Sequence, residues 1–379
     1  MGPRTAVTAV FFLNGASFSS WYSRLPAIQD RLDLGPGAVG LALLGAPLGL
    51  LVAQPAVGAI IARHGSRPLV AAAPLWLATV LLPALAGNTL TLFAAVTLVG
   101  AANGALDIAM NAQGLAVESA AGRRLFGSLH AAFSFGALVG AGLAGAVAGL
   151  GIAPLPHLAA IAGIGAIAAT VIVVPGLLHD RPDREQPRPR LARPSRRLAL
   201  YGAIAFCVLL AEGAVFDWSA IFLATEQRAD PGLAPMGLAA FSLTMGVGRL
   251  LADPAAGRFG DAAVARWGAI SAAAGLGLAL TTGNVGLSLT GFAVMGLGLA
   301  AVFPMTLRAA ANNTATAGPD LAAVASFGYL GLFLGPPTIG ILAEQSSLRW
   351  ALVLVCAVCV VAAALTVRTA VHPSRTDHT

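Results

Sequence analysis

Lysine is absent from the 379-residue sequence, so all 22 basic side chains are arginine. Beside abundant alanine and glycine, this absence reads as a bias of the coding DNA and carries no mechanism. Charge of either sign is scarce: 10% of the residues are charged, against about 25% in soluble globular proteins. There are three cysteines, Cys207, Cys356 and Cys359, all within apolar runs, which excludes a secreted disulfide scaffold. The C-x-x-C at 356–359 lies in one such run and reads as inert core- or lipid-facing thiols, since a redox motif needs an accessible, activated thiolate. There is no P-loop, no G-x-G-D and no H-E-x-x-H, and Ser128 and His130, two residues apart, face different sides of a helix. ATP-driven pumping and intramembrane catalysis are therefore not expected, and no metal or cofactor is.

What is present is apolar. Hydrophobic residues make up 57% of the chain, 45 residues are glycine and the mean hydropathy is +0.82. Glycine and proline are commoner in membrane helices than in soluble ones. A soluble enzyme and a disordered chain are both excluded. The expectation is an all-α polytopic membrane protein, with the lipid bilayer as its solvent.

Apolar stretches broken by charges or by Gly, Pro and Asn predict twelve spans. They run over 5–27, 36–62, 68–87, 89–117, 124–150 and 154–177, then 198–224, 234–257, 263–282, 285–309, 320–343 and 348–369. The first carries Asn14, Trp21 and Arg24 and lacks a clear cleavage site, so it reads as a span and not a signal peptide. Arginine sets the orientation. With the N-terminus inside, Arg4, Arg63, Arg67, Arg123, Arg124, Arg258, Arg266, Arg308, Arg368 and Arg375 are cytoplasmic, as are seven more between Arg181 and Arg197. Arg24, Arg31, Arg228 and Arg349 fall on the other side. This places both termini in the cytoplasm and the protein in the inner membrane. The net charge of +6 belongs to these loops, and no nucleic-acid partner is expected.

The one long connection, residues 178–197, is rich in proline and arginine and reads as a cytoplasmic linker between bundles at 1–177 and 198–379. The halves echo each other. Asn14-Gly15-Ala16 with Phe18 and Trp21 answers to Glu212-Gly213-Ala214 with Phe216 and Trp218. Ala53-Gln54-Pro55-Ala56-Val57-Gly58 answers to Ala252-Asp253-Pro254-Ala255-Ala256-Gly257, and Ser134-Phe135-Gly136 to Ser326-Phe327-Gly328. Parallel six-helix repeats place a solute site near the midplane between the halves.

Over nearly its whole length the chain resembles the major facilitator superfamily. The run Gly58-Ala59-Ile60-Ile61-Ala62-Arg63-His64-Gly65-Ser66-Arg67 resembles the superfamily signature G-x-x-x-D-R-x-G-R-R/K, departing from it at Ala62, where the family has aspartate. Gly248-Arg249-Leu250-Leu251-Ala252-Asp253 with Arg258-Phe259-Gly260 resembles the equivalent second-half element and keeps the acid. The resemblance implies gating roles for Arg63, Arg67, Arg249, Asp253 and Arg258. More narrowly, Trp21-x-x-Arg24-Leu25-Pro26, Asp107-Ile108-Ala109-Met110-Asn111 and Glu212-Gly213-Ala214-x-x-Asp217-Trp218 resemble the rhizopine-transporter-like (MosC-like) branch, related to fucose-permease-like sugar/proton symporters. The superfamily resemblance implies that spans 1, 4, 7 and 10 line a cavity.

An ionisable group in hydrocarbon costs about 2.5–3.5 kcal/mol even on lenient scales, so the few deep ones are the functional candidates. Asp107 lies mid-span with Asn103 and Asn111 four residues to either side, on one face of the helix. Asp107, Glu212 and His130 are the candidates for proton coupling, with an Asp107–His130 relay as one form of it. Asn14, Asn103, Asn111 and Gln113, with Trp21, Trp218 and Phe303, are the candidates for contact with a solute. Arg24 and Asp217 are at matching depth and predict an ion pair at the outer gate. The expected activity is secondary transport of a small sugar, polyol or related metabolite by a monomer, driven by the proton gradient. The alternative is a proton-driven exporter, against which span 5 lacks the Gly-Pro pair of the family's antiporters.

Overall fold

The computed structural model describes residues 2–122, 125–180, 195–311 and 317–370. Among them there are helices and no strands, and the helices group into the twelve expected spans. Span 1 is Pro3–Ser23 with its continuation Leu25–Leu32; span 2 is Pro36–Leu43 and Gly45–His64. Span 3 is broken into Arg67–Ala71, Ala73–Ala78 and Leu82–Leu85 with a 3-10 turn between, at Thr79–Leu81. Spans 4, 5 and 6 are Thr89–Ala121, Phe126–Gly149 and Pro154–Ala168, the last running on through a π turn to Gly176. Spans 7, 8 and 9 are Arg196–Thr225, Met236–Phe259 and Asp261–Thr281. Span 10 is Val285–Leu299 and Val302–Ala310, span 11 Ala317–Gln345 and span 12 Leu348–Ala370. Nine of these pass as membrane-crossing by length and hydropathy alone. Span 1, the interrupted span 3 and span 8, with its Arg249, Asp253 and Arg258, fall outside that count because polar residues or breaks dilute them.

Local chemistry sets the ends. Asn88 accepts from Thr91 N at 2.9 Å while the Thr91 hydroxyl accepts from Asn88 N at 3.0 Å, a reciprocal cap that starts span 4. Gly122, in the left-handed region, ends it. Pro36 and Pro154 open spans 2 and 6 in the first turn, where a missing N–H costs nothing.

In lipid no hydrophobic force draws helices together, so close backbone approach and buried hydrogen bonds must. Span 1 lies against span 5 in this way. A Cβ added at Gly136 would land on the Phe12 carbonyl and one at Gly140 on the Ala16 carbonyl. Ser19 Oγ donates to the Ala137 carbonyl at 2.6 Å across the same seam. The pairings repeat: spans 1–5, 2–4 and 3–6 of the first six match 7–11, 8–10 and 9–12 of the last six.

The two sets of six meet through spans 5 and 8 and through spans 2 and 11. We call the end carrying the chain termini proximal and the other distal. Distally the seams are shut: Gly40 packs on Pro336 and Gly340, and Gly145 on Gly232 and Met236. Proximally they part. From Gln54 to Ile60 only Val57 of span 2 is buried, so this stretch is unpacked around most of its circumference. Phe327 and Tyr329 of span 11 and Leu250 and Leu251 of span 8 are exposed at comparable depth. The molecule is closed distally and open proximally.

Because the span 1–5 seam is set by carbonyl contact, Gly136→Val should lower the detergent melting temperature, at a cost of about 1–3 kcal/mol from overpacking. Gly142→Val, one and a half turns on with nothing within 4 Å, should melt like the wild type. Equal melting of the two variants would contradict the packing.

Candidate functional site

Three groups converge where the span 5–8 seam ends and the proximal opening begins. Arg249 of span 8 places Nη2 3.1 Å from Oε1 of Glu212 on span 7. Its Nη1 donates across to span 5, to Ser134 Oγ at 2.8 Å and the His130 carbonyl at 3.2 Å. Both members of the pair are mostly buried, with side-chain exposures of 15% and 21%. Gly246, one turn earlier, lets span 8 sit on Phe135 and Ser134, which brings Arg249 within reach. One guanidinium thus joins an acid in one set of six spans to backbone and hydroxyl oxygens in the other. Sequence placed Arg249 with the proximal gate; its long side chain instead reaches inward to the acid that burial leaves in need of a cation.

The His130 ring packs between Phe11 and Phe126, at centroid distances of 5.4 and 4.8 Å. It makes no hydrogen bond to Asp107, so the expected Asp107–His130 relay is not formed. Asp107 is met along its own helix by Asn111, whose Nδ2 donates to the Asp107 carbonyl at 2.8 Å and to Oδ1 at 3.2 Å. Tyr329 of span 11 lies within electrostatic reach of the same carboxyl. The buried Oδ1 atoms of Asn103 and Asn111 have no donor among the described residues. Asn14, buried, turns its amide to Met110 Sδ at 3.9 Å, and with Asn103, Phe18, Trp76 and Thr79 it lines a small void among spans 1, 3 and 4.

Several expectations need correction. Gln113 does not face a solute: its amide donates to the Leu178 carbonyl and to Asp180 Oδ1, each at 3.0 Å, and its Oε1 accepts from Leu178 N at 3.2 Å. Trp21 and Trp218 are fully buried in the distal core, where stacking on a solute is closed to them in this conformation. Arg24 and Asp217 do not pair. Arg24 donates to the Ala144 and Ile152 carbonyls at the C-terminal end of span 5, where helix carbonyls carry partial negative charge. Asp217 is met instead by the Tyr22 hydroxyl. Phe303 is half-buried just past the break between the two segments of span 10.

Proximally, Asp180 binds the 2–3 turn whose signature lacks its acid. Its carboxylate accepts from Ser66 N at 2.8 Å, Ser66 Oγ at 2.6 Å and Arg67 N at 3.3 Å, while Arg67 Nη1 meets His179 Nε2 at 2.6 Å. Arg63 is exposed. In the second half Arg308 bridges Asp253 at 2.5 Å and Asp261 at 3.4 Å, and Arg258 lies over the Phe259 ring. These pairs are partly solvated, and such pairs contribute little to stability. Arg123, Arg124 and the linker from 181 to 194 lie outside the described residues.

The distal closure has a polar latch absent from the sequence reading. Glu344, at the end of span 11, accepts from Gly37 N at 2.9 Å in the first turn of span 2. A carboxylate there answers the unpaired amides and the positive end of the helix dipole. A Cβ at Gly35 would meet that carboxylate, so a side chain there would displace Glu344 from this position. The Gly35-Pro36-Gly37 run was the available signal, but its partner lies 307 residues away.

A twelve-helix membrane bundle, shut at one end and open at the other around a buried ion pair, has the architecture of a transporter. The family model for the Major Facilitator Superfamily matches residues 7–222 and 201–378, and the chain belongs to that superfamily. It is 33% identical to an uncharacterised MFS-type transporter of Yersinia pestis, over 89% of this chain and 88% of that one. It is 31% identical to the membrane protein MosC of Rhizobium meliloti, over 96% and 89%. The fold is similar to the nucleoside transporter NupG, with a TM-score of 0.72 and 13% identity, covering 98% of this chain and all of that one. A bacterial homologue of the lysosomal transporter Spinster, in an inward-facing and occupied conformation, gives a TM-score of 0.70 at 17% identity, covering 96% and 95%.

The Glu344 latch gives a direct test of the distal closure. A Cβ at Gly37 stands 3.6 Å from Glu344 Cβ, within the range a disulfide spans. In a chain whose native cysteines are replaced by alanine, Gly37→Cys with Glu344→Cys should cross-link on mild oxidation. Transport should stop and return with reductant. Free transport by the cross-linked protein would show that this seam never opens.

Proposed function

We propose that the protein is a proton-driven symporter that moves a small polar solute, of sugar, polyol or related class, across the inner membrane by alternating access. Membership of a transporter superfamily supports the transport; the coupling rests on the Glu212–Arg249 pair, which is the observation that carries this reading. A carboxylate at that depth is tolerable only while a cation or a proton neutralises it. Proton uptake by Glu212 releases one arm of Arg249 and loosens a contact that reaches from span 7 to span 5, so protonation and the relation of the two halves are linked. Asp107, within electrostatic reach of Tyr329 and without a described cation, is the second candidate acid. The arginine asymmetry of the loops makes the proximal end cytoplasmic, so the present conformation is the one that exchanges solute with the cell interior. The protein works as a monomer and needs no cofactor beyond the gradient.

The test is substrate-induced pH change in proteoliposomes, screening sugars, polyols, inositol-like compounds and nucleosides. One compound should alkalinise the medium as it enters. Glu212→Gln should abolish that signal while sparing solute counterflow, and Asp107→Asn compares the second acid. Counterflow with no proton movement in the wild type would reduce both acids to structural roles. Efflux driven by an inward proton gradient would point to export instead.

A further inference from the structure

Resting on that reading, the Glu212–Arg249 pair also bears on the charge of the solute. We infer that the transported solute carries an anionic group, a carboxylate on a small hydroxylated molecule, which takes the place of Glu212 on Arg249 when Glu212 binds its proton.

The argument is one of charge balance. Arg249 is held by its Nη1, which donates to Ser134 Oγ and the His130 carbonyl, so its position does not depend on Glu212 alone. Nη2 is the arm that Glu212 occupies. Once Glu212 is neutral, a mostly buried guanidinium faces hydroxyl and carbonyl dipoles with no counter-charge, and an unpaired buried charge is far costlier than a paired one. A neutral sugar cannot remove that cost. A carboxylate can, and two N–H groups of one guanidinium match its two oxygens. Binding of the proton then favours binding of the anion, and the converse follows by linkage. One proton and one monoanion cross together, the proton on Glu212 and the anion on Arg249, so the loaded site gains no net charge.

The surrounding groups allow this exchange. Besides Arg249, the ionisable groups around this level of the bundle are His130 on span 5, stacked between Phe11 and Phe126, and Asp107 with Tyr329 on spans 4 and 11. Farther toward the distal end are Asp217 and Tyr22. Arg249 is the single arginine at that level among the described residues, so an anion entering from the proximal opening has one place to go. Asp107 on the other half, with Asn111 and the open acceptor of Asn103, is left for the hydroxyl donors of the same solute.

Matched pairs of probes test the inference on the full-length protein: glucuronate against glucose, and gluconate against sorbitol, by binding in detergent and by uptake in proteoliposomes. The acid of each pair should bind, and the neutral partner should not. The wild-type affinity for the acid should fall as the pH rises, as one linked proton requires. In Glu212→Gln the affinity should stay at its low-pH value throughout, while proton-driven accumulation is lost. Arg249→Gln should weaken the acid by about thirtyfold or more, with Arg249→Lys recovering part of that. Ser134→Ala, which frees one bond to Nη1, should weaken it less and serves if Arg249→Gln fails to fold. Binding or proton-coupled uptake of glucose or sorbitol in preference to the acids overturns the inference and leaves symport standing. Acid binding that is unchanged by pH in the wild type also overturns it. If no compound of the pairs or of the wider panel binds or moves, the inference falls together with the transport reading beneath it.

Discussion

A charge placed in hydrocarbon has to be answered where it lies, and this chain has very few to place. The chain has 38 charged residues in 379, most of them in loops or near helix ends, and the deep ones meet specific partners. Glu212 is answered by Arg249, Asp217 by Tyr22, and Arg24 by the carbonyls that end span 5. In the Glu212–Arg249 pair two opposite charges meet, and the arginine also grips the opposite set of six spans through Ser134 and the His130 carbonyl. On the proposed reading, the charge of one carboxyl acts on the arginine that joins the two halves at mid-depth.

The remaining architecture makes such a tie consequential. Contacts inside each half are backbone-close and rich in serine and glycine, as between spans 1 and 5, which suits bodies that move as units. Contacts between halves lie along spans 5 and 8 and the distal stretches of spans 2 and 11. A smaller aromatic contact joins spans 1 and 7 through Phe18, Tyr22 and Phe216, and at the far edge Glu344 meets the first turn of span 2. Such interfaces have two packed arrangements and no continuous series between them. On the proposed reading, a change of charge at the inner end of the seam biases which arrangement is held.

Much of the architecture was legible in the sequence, because a helix in lipid must satisfy its own backbone and announces itself by a long apolar run. The boundaries fall within a few residues of those read from proline, glycine and charge. The site was less legible, for a physical reason. Sequence gives depth along a span, yet says little about which neighbour a side chain meets around it. Arg24 and Asp217 share a depth and still find different partners, as do Asp107 and His130. Gln113 read as a cavity amide because it sits on span 4; its partners, Leu178 and Asp180, begin a linker that looked merely polar. Arg249 was hidden inside a motif that resembles a gate, where only the packing of Gly246 against Phe135 shows that its arm reaches inward.

The most direct test of this account is the protonation state of Glu212 itself, followed by infrared difference spectroscopy of the purified protein during acidification. A carboxylic C=O band should rise as the pH falls, together with a shift in the arginine guanidinium bands. Both changes should be missing from Glu212→Gln. A Glu212 that stays ionised across the working range, or gains its proton while the guanidinium bands stand still, would contradict it.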